Sequence, residues 1–404
     1  MKKDLLIIVH RIPFPPDKGD KIRSYHILKH LAEHYRVTVA CMIDDLADLA
    51  HVAALREMVH QVHYQVRTTK MMKLYAIWSI FTVRSFSQQC FYSKKLQSEI
   101  DGYLDQYDPA AILCFCSSSA EYLFRSRHGF EELKKKVLLN DLIDVDSEKW
   151  GQYAEKHTGV MRWLYRREAR LLLPCELRIA AEFDRTFLVS DEEKKVLAAH
   201  GWVDKVEALS NGVDLNYFSP DKVSKQQSPT ADCRLVFSGA MDYWPNIEGA
   251  VWFAEKIFPI VKESVLEAQF CIAGRNPTDE VLALKKISGV EVTGTVPDMR
   301  DYLSTATICV VPLLIARGIQ NKVLEAMAME KPVIATTGAA TGTKAVDGEA
   351  IIVADDEQVM ANEIIGLLGD KQRQLEIGCK AREYVEREHS WESHLARLDE
   401  IIEA

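Results

Sequence analysis

The chain has 404 residues, of which 48% are hydrophobic and 27% charged, so it is long enough for two globular domains of ordinary composition. Its net charge of −9 argues against a general nucleic-acid binder, which would present a basic face. Nine scattered cysteines do not form the spaced pairs of a zinc site. Without a secretory signal, they favour reduced thiols in a cytoplasmic protein.

In the first half of the sequence, short apolar runs alternate with amphipathic segments. The runs are LLIIV (5–9), RVTVACM (36–42), AAILCF (110–115), KVLLND (136–141) and RTFLVS (185–190). The last of them leads into DEEKKVLAAHG (191–201), which begins with acidic residues and ends in Gly, as helix caps and the helix dipole require. This alternation predicts a parallel sheet with helices on both faces.

The same pattern restarts after residues 211–232, where apolar periodicity fails. The new runs are CRLVFSG (233–239), AQFCIAG (268–274), VEVTG (290–294), ATICVVP (306–312) and KPVIAT (331–336). We therefore predict an α/β fold with two doubly wound domains, 1–208 and 209–384, facing a central cleft. Part of 385–404 is amphipathic and is expected to pack back on the first domain. Ligands bind beyond the carboxyl ends of the strands in such sheets, so we expect the ligand in the cleft.

The stretch ARGIQNKVLEAMAMEKPVIAT (316–336) predicts a loop, a short helix and a strand. Unpaired N–H groups at a helix N-terminus hold phosphates well, and Gly318 lets the backbone approach closely. Lys322 adds a point charge, Arg317 a bidentate fork, and Glu325 an acceptor for two ribose hydroxyls. The predicted site for the diphosphate and ribose of a sugar nucleotide comprises Arg317, Gly318, Ile319, Gln320, Asn321, Lys322 and Glu325. The alternative is an ordinary surface helix cap.

Two further turns follow strands of the second half. The run CRLVFSG ends in Gly239, and CIAGRNP (271–277) places Arg275 where a strand leaves the sheet. A cation at the carboxyl end of a parallel strand faces the position where an anion binds. We therefore add Gly239 and Arg275 to the donor site, the alternative being a turn with a solvated Arg.

The loop after the first strand reads VHRIPFPPDKGDKIRSYHIL (9–28). It is rich in Pro and is not a GxGxxG motif, so it carries no nicotinamide fingerprint. It lies at the carboxyl end of its strand, and we predict that Gly19, Asp20, Lys21 and Arg23 close over a phosphate or an acceptor. A solvated turn is the alternative.

Three carboxylates cluster in LLNDLIDVDSEKWGQY (138–153), after a strand. Asp141 or Asp144 could orient an acceptor hydroxyl or take its proton. The spacing also suggests a metal, but the Gly and distal Glu of a calcium loop are absent. Helix capping by Asp146 or Ser147 is the competing explanation.

Histidines 26, 30 and 34 recur at i, i+4 and i+8 of a predicted helix. Such pairs can bind metal, but no HExxH motif exists and core residues interleave with them. We interpret them as a solvated or half-buried helix face and predict no metal site.

The stretch KMMKLYAIWSIFTVRSFSQQCFYSKKLQ (70–97) mixes six aromatic residues with five basic ones. Such a segment can lie on an anionic membrane surface or grip a lipid-linked substrate. Core packing against the first sheet is the alternative. The sequence thus allows a peripheral position on the inner membrane face.

Several motifs occur here in the order found in a known family. SNGVDLNYFSP (210–220), SGAMDYWPNIEGAVWF (238–253), VTGTVPDMRDYL (292–303) and NKVLEAMAMEKPVIAT (321–336) together resemble the family 4 glycosyltransferases. DKGDKIRSYHIL, LIDVDSEKW and GIQNKVLEAMAM further resemble the sugar transferases associated with exosortase (PEP-CTERM) and exopolysaccharide clusters.

The resemblance implies a GT-B fold of two Rossmann-like domains with a C-terminal helix crossing back. It implies transfer of a sugar, with retention and without a bound metal or cofactor, from a UDP- or GDP-linked donor to a glycan or polyprenyl-linked acceptor. Glu325 matches the second Glu of the family's E-x7-E motif. On this basis Lys322 and Arg275 lower the barrier, while Asp141 or Asp144 contacts the acceptor.

The sequence also departs from the family pattern. Arg317 stands where the motif has its first Glu, and the loop AMDYWPN (240–246) lacks the family's Arg and Lys. The first-domain His is replaced by Asn140 or Asp141. These departures leave two alternatives open, a non-catalytic sugar-nucleotide-binding scaffold subunit and a sugar-nucleotide epimerase.

Overall fold

The computed structural model describes residues 2–16, 19–222, 233–316 and 318–403. The chain divides into unit 1, Met1–Ser210 with Leu395–Ala404, and unit 2, Asn211–His394. The sequence-predicted boundary at 208–209 lies two residues from this division. Among the described residues, no helix combines the length and apolar character needed to cross a bilayer.

Unit 1 contains one parallel sheet with helices between its strands. Its strands are β1 (Asp4–Val9), β2 (Arg36–Ile43), β3 (Gln61–Val66), β4 (Ala111–Phe115), β5 (Val137–Ile143), β6 (Arg185–Leu188) and β7 (Val206–Ala208). Its helices are α1 (Gly19–His34), α2 (Val52–Met58), α3 (Thr69–Ser79), α4 (Phe86–Phe91), α5 (Lys94–Gln106), α6 (Cys116–Phe124), α7 (Phe130–Leu133), α8 (Asp146–Lys156), α9 (Gly159–Glu182) and α10 (Asp191–Ala198), with a 3-10 turn at Leu46–His51.

The strand order of unit 1 is β3-β2-β1-β4-β5-β6-β7, and every neighbouring pair is parallel. Residues Leu5–Ile8 of β1 have no exposed surface. Continuous apolar strands of this kind form where helices cover both faces of a sheet. The order reverses between β1 and β4, so the carboxyl ends of these two strands flank the crevice where such sheets bind ligands.

Unit 2 repeats this plan. Its strands are β8 (Arg234–Ser238), β9 (Gln269–Ala273), β10 (Val290–Gly294), β11 (Ile308–Val311), β12 (Val333–Ala335) and β13 (Ile352–Val353). Its helices are α11 (Trp244–Trp252), α12 (Phe258–Ser264), α13 (Asp279–Ala283), α14 (Met299–Thr305), α15 (Asn321–Ala328), α16 (Thr337–Ala340), α17 (Glu357–Leu368) and α18 (Lys371–Glu388), with a π-helical turn at Phe253–Ile257. The last helix, α19 (Trp391–Glu403), begins in unit 2, and its residues from Leu395 belong to unit 1.

The parallel sheet of unit 2 has the order β10-β9-β8-β11-β12-β13. Here the order reverses between β8 and β11, and the loops after these strands define the corresponding crevice. The helix predicted from the stretch 316–336 is present as α15, which begins at Asn321 and buries Val323, Leu324 and Met327 in the core of unit 2. The predicted fold of two doubly wound parallel-sheet domains is confirmed.

Candidate functional site

The carboxyl edge of the unit 2 sheet is assembled from the turns after β8 and β9 and from the start of α15. The backbone N–H of Gly239 donates to Ala273 O at 3.0 Å, and that of Met241 donates to Arg275 O at 2.8 Å. A Cβ added to Gly274 would lie 1.6 Å from Gly239 O, so only glycine allows the two turns to meet this closely. Gly239 and Arg275, both singled out from the sequence, therefore lie at the same sheet edge.

Lys322, in the first turn of α15, is held by a neutral partner. Its Nζ donates to Asn246 Oδ1 at 2.5 Å and lies 4.7 Å from the centroid of the Phe237 ring. Asn246 in turn donates from Nδ2 to Ala240 O at 2.8 Å, which fixes its amide. Burial lowers the pKa of Lys322 to about 7, opposed by the charge of Glu325. Keeping Lys322 charged at this edge therefore costs desolvation free energy.

Glu325 lies one helical turn after Lys322 and is half-buried. Burial raises its pKa to about 7, opposed by the charge of Lys322. Two ionisable groups whose pKa values are both moved toward neutrality, at the switch point of an α/β sheet, are typical of a functional site.

The N-terminus of α15 has no side-chain cap. Gln320 occupies the N-cap position without a side-chain cap hydrogen bond, and the first turn closes through Val323 N to Gln320 O at 2.9 Å. Asn321 accepts at Oδ1 from Asn211 Nδ2 at 3.1 Å, and Ile319 is 8% exposed. The helix start is thus fixed by backbone and amide contacts.

The remaining donor-site positions are only partly described. Gly318 has a φ of 59°, a left-handed conformation that favours glycine. A Cβ added to Gly342 would lie 2.5 Å from the carbonyl oxygen of Gly318, so position 342 also requires glycine. Arg275 is half-buried directly after Gly274. Arg317 lies outside the described residues.

At the carboxyl edge of the unit 1 sheet, the predicted phosphate cations are already neutralised. Lys21 Nζ lies 2.8 Å from Asp48 Oδ2, and Arg23 Nε lies 2.6 Å from Asp141 Oδ2. The side chains of Arg23 and Asp141 are both 0% exposed, and that of Lys21 is 1% exposed. A side chain with no exposed surface has none to offer a phosphate or an acceptor, so this geometry favours structural ion pairs for these residues.

The other residues predicted for the unit 1 site, Gly19, Asp20 and Asp144, are not part of these two buried ion pairs. Gly19 is the first residue of α1, and Asp144 is half-buried after β5. Asp20 accepts from Arg11 Nη1 at 2.9 Å and lies 3.1 Å from His10 Nε2. Although burial opposes it, the hydrogen bonds and charges of His10 and Arg11 hold the pKa of Asp20 well below its usual range.

Sequence reasoning missed a polar cluster around His10. His10 directly follows β1 and is 8% exposed. Cys116 Sγ lies 4.0 Å from His10 Nε2, and Arg11 Nε donates to Asp44 Oδ2 at 2.8 Å. Burial raises the pKa of Asp146, the first residue of α8. The signal was available, because each of these side chains follows the end of a predicted parallel strand.

A second surface of unit 1, which we call the apolar–basic surface, combines α3, the loop after it and the start of α9. Its exposed apolar residues are Met71, Leu74, Ile77, Trp78, Ile80, Phe81, Val83, Val160, Met161 and Trp163. The two segments meet because Arg167 Nη2 donates to Ser79 O at 2.7 Å and to Thr82 O at 2.5 Å. Segments 69–84 and 158–167 each contain three basic residues and no acidic one. The stretch 70–97 is therefore exposed at its start, whereas its later residues Phe91 and Tyr92 pack on the core.

One family model matches a segment that lies within unit 2. The family described as glycosyl transferases group 1 matches residues 232–370. A 44.6 kDa protein in the cps region of Klebsiella pneumoniae is 23% identical over 166 residues, which cover 39% of this chain and 43% of that protein. The match thus spans less than half the length of this curated relative.

Solved structures match the whole chain. Sucrose-phosphate synthase from Thermosynechococcus elongatus has a TM-score of 0.71 and 18% identity, covering 99% of this chain and 98% of its own. Anabaena HepE in complex with UDP has a TM-score of 0.67 and 13% identity, with 100% of both chains covered. Staphylococcus aureus TarM, solved with UDP and fondaparinux, has a TM-score of 0.66 and 12% identity, again with 100% of both chains covered. Residues 232–370 are therefore similar to a glycosyl transferases group 1 domain, and the chain as a whole has the GT-B fold of these solved structures.

Proposed function

We propose that this chain is a retaining, metal-independent glycosyltransferase of family 4 that acts in exopolysaccharide synthesis. It moves a sugar from a UDP- or GDP-linked donor to a glycan or polyprenyl-linked acceptor and needs no bound cofactor. The observation that carries this proposal is the Lys322–Glu325 pair at the start of α15, where the unit 2 sheet reverses its strand order. The group 1 domain, the UDP-bound neighbours and the relative from a cps region support it.

Breaking a glycosyl–phosphate bond places negative charge on the departing diphosphate. Fixed N–H dipoles at the start of α15 and the Lys322 ammonium stabilise this charge more in the transition state than in the ground state. A diphosphate would also relieve the desolvation that lowers the pKa of Lys322. Arg275, after β9, is the second cation of this clamp.

Glu325 holds the nucleoside. An ionised carboxylate is an acceptor only and takes hydrogen bonds from two vicinal ribose hydroxyls. In unit 1, Asp141 is fully paired with Arg23, so we assign the acceptor contact to the half-buried Asp144. There it orients the attacking hydroxyl.

A second candidate, a sugar-nucleotide-binding subunit without transfer activity, is favoured by one feature. Asn140 stands where the family has its first-domain His, and it is 0% exposed. Within the described part of the chain, both polar atoms of its amide are buried without a hydrogen-bond partner. An epimerase on the same fold would share the donor site.

A donor screen separates these functions. The full chain is incubated with UDP- and GDP-sugars and a polyprenyl-diphosphate-linked acceptor, and the products are identified by mass spectrometry. Transfer releases nucleoside diphosphate and yields a glycosylated lipid with the donor's anomeric configuration. An isomerised donor indicates epimerisation, and unchanged donor that binds in calorimetry indicates the binding subunit. Transfer that persists in EDTA supports metal independence.

We also propose that the apolar–basic surface rests on the inner membrane face, where a polyprenyl-linked acceptor is anchored. Trp78 and Phe81 are 63% and 80% exposed, and the surrounding basic residues complement anionic headgroups although the chain carries −9 overall. The full chain should sediment with phosphatidylglycerol vesicles and not with phosphatidylcholine vesicles.

The double variant Trp78→Glu/Phe81→Glu tests this surface. It should lose vesicle binding while keeping turnover of a water-soluble acceptor. Trp202→Glu is the matched control, because Trp202 is 74% exposed in unit 1 outside this surface. Equal vesicle binding by the double variant would refute the membrane assignment and leave the transfer proposal untouched.

A further inference from the structure

Three potential metal ligands meet in unit 1, outside the residues assigned to sugar transfer. His30 and His34 lie one turn apart near the end of α1, and Asp399 comes from α19. One ligand atom from each lies within 4.8 Å of the other two. His30 Nε2 and Asp399 Oδ2 are 2.7 Å apart. Sequence reasoning had only the two histidines, because Asp399 is 369 residues from His30.

The surroundings of these side chains favour a cation. Among the described residues, Asp399 Oδ1 is buried without a hydrogen bond of good geometry, although the Tyr35 hydroxyl interacts with the same carboxylate. His30 therefore engages only one of the two carboxylate oxygens. Both histidines lie at the C-terminal end of α1, where the helix dipole attracts positive charge. Lys2 Nζ already donates to Ala32 O at 3.0 Å at this helix end. The ring centroids of His30 and His34 are 5.1 Å apart.

We propose that His30, His34 and Asp399 bind a divalent transition-metal ion, with Zn²⁺ the best match. Two imidazole nitrogens and one carboxylate oxygen are ligands that Zn²⁺ accepts, with water completing the tetrahedron. Binding requires the 2.7 Å contact between His30 and Asp399 to open to about 3.4 Å, the ligand separation in a tetrahedral site. The other ligand atoms must close from separations of up to 4.8 Å, which rotation of the exposed His34 ring allows.

The position of this site assigns it a structural role. α1 runs from the carboxyl end of β1 back to the start of β2, so its last turn lies at the amino edge of the unit 1 sheet. The proposed donor residues are on unit 2, and metal-independent transfer is unaffected. A bound ion would fasten the C-terminal residues from Leu395 to α1. This inference does not rest on the proposed function.

Metal binding by the full chain tests the proposal directly. The protein is freed of metal with EDTA and titrated with Zn²⁺ by calorimetry and with Co²⁺ by visible absorption, in a Cys379→Ser background that removes the exposed thiol. His34→Asn should weaken Zn²⁺ binding by roughly tenfold or more. It should also abolish the tetrahedral Co²⁺ band. Zn²⁺ should raise the melting temperature of the background protein and not of the variant.

A neighbouring histidine variant and a check of the fold serve as controls for the loss of Zn²⁺ binding. His26→Asn changes the histidine one turn earlier on α1 and should bind Zn²⁺ like the background protein. His34→Asn leaves the His30–Asp399 contact in place, so a loss of binding is not a loss of fold, and circular dichroism checks this. Asp399→Asn should weaken binding as His34→Asn does. Equal Zn²⁺ affinity in the background protein and His34→Asn, or a larger loss in His26→Asn, would overturn the site.

Discussion

The carboxyl edges of the two sheets present charged residues in opposite ways. At the unit 1 edge, Arg23 and Asp141 are 0% exposed and neutralise each other. At the unit 2 edge, Lys322 donates to the neutral amide of Asn246, and burial moves its pKa to about 7. The buried ion pair of unit 1 is neutralised within the fold, whereas the perturbed pKa and the neutral hydrogen-bond partner of Lys322 make it a candidate ligand-binding group.

This comparison also separates stability from activity. Removing a charge from the unit 1 edge leaves its partner buried and uncompensated. Removing Lys322 relieves a desolvation cost, because the folded protein disfavours its proton. Variants at the unit 1 edge should therefore lower stability, whereas variants of Lys322 at the unit 2 edge should lower activity.

The largest effect is expected on stability, at the unit 1 edge. Arg23→Met strands the fully buried Asp141 and should lower the free energy of unfolding of unit 1 by about 3–5 kcal/mol. Urea unfolding, followed by hydrogen exchange of β4 and β5, measures it. Arg36→Met removes an ion pair whose Arg side chain is 45% exposed and should barely move the midpoint.

A double variant sharpens this first test. Arg23→Met/Asp141→Leu removes both charges and should recover much of the lost stability, as apolar replacements of buried ion pairs do. If Arg23→Met is as stable as Arg36→Met, the Arg23–Asp141 pair does not stabilise unit 1, and the contrast between the two sheet edges is wrong for unit 1.

The next effect is on activity, at the unit 2 edge. Lys322→Met removes the ammonium from the diphosphate clamp and should lower kcat/KM by roughly 100-fold or more. At pH 6 the melting temperature of unit 2 should rise, because the wild-type protein there buries a charged lysine whose pKa is lowered to about 7. Lys286→Met, at an exposed lysine of the same unit, should change neither quantity. A fall in both activity and melting temperature would assign Lys322 to the structure instead.

A smaller effect is expected from the amide that positions Lys322. Asn246→Ala removes the acceptor of the Lys322 hydrogen bond and should lower kcat/KM about tenfold, since hydrogen bonds to charged groups contribute about 1.5–3 kcal/mol. Asn246→Asp gives Lys322 a carboxylate partner, as in unit 1, and should raise KM for the donor further. If Asn246→Asp binds donor as well as wild type, a neutral partner is not what keeps Lys322 available.

Local sequence patterns were sufficient to predict the fold and the positions of Lys322 and Glu325 in the candidate site. Apolar runs such as LLIIV identify fully buried parallel strands, and the helical register places Lys322 and Glu325 one turn apart. The partners of these residues could not be predicted locally. Arg23 meets Asp141 across 118 residues, and Lys322 meets Asn246 across 76. Such contacts depend on strand order and on close packing of turns, so Lys21 and Arg23 resembled free cations in the sequence.

The smallest expected effect is on the pH dependence of kcat/KM. The clamp needs Lys322 charged and Glu325 ionised. Lys322, with its pKa lowered to about 7, loses its charge as pH rises through 7, and Glu325, with its pKa raised to about 7, loses its charge as pH falls through 7. The profile for the free enzyme should therefore peak near neutrality and fall a few-fold within about one pH unit on either side. Glu325→Gln should abolish the acid limb and keep the alkaline one, while Glu330→Gln, at an exposed residue two positions after α15, should keep both. An acid limb that survives in Glu325→Gln would belong to another group, and the asymmetry between the two sheet edges would then rest on Lys322 alone.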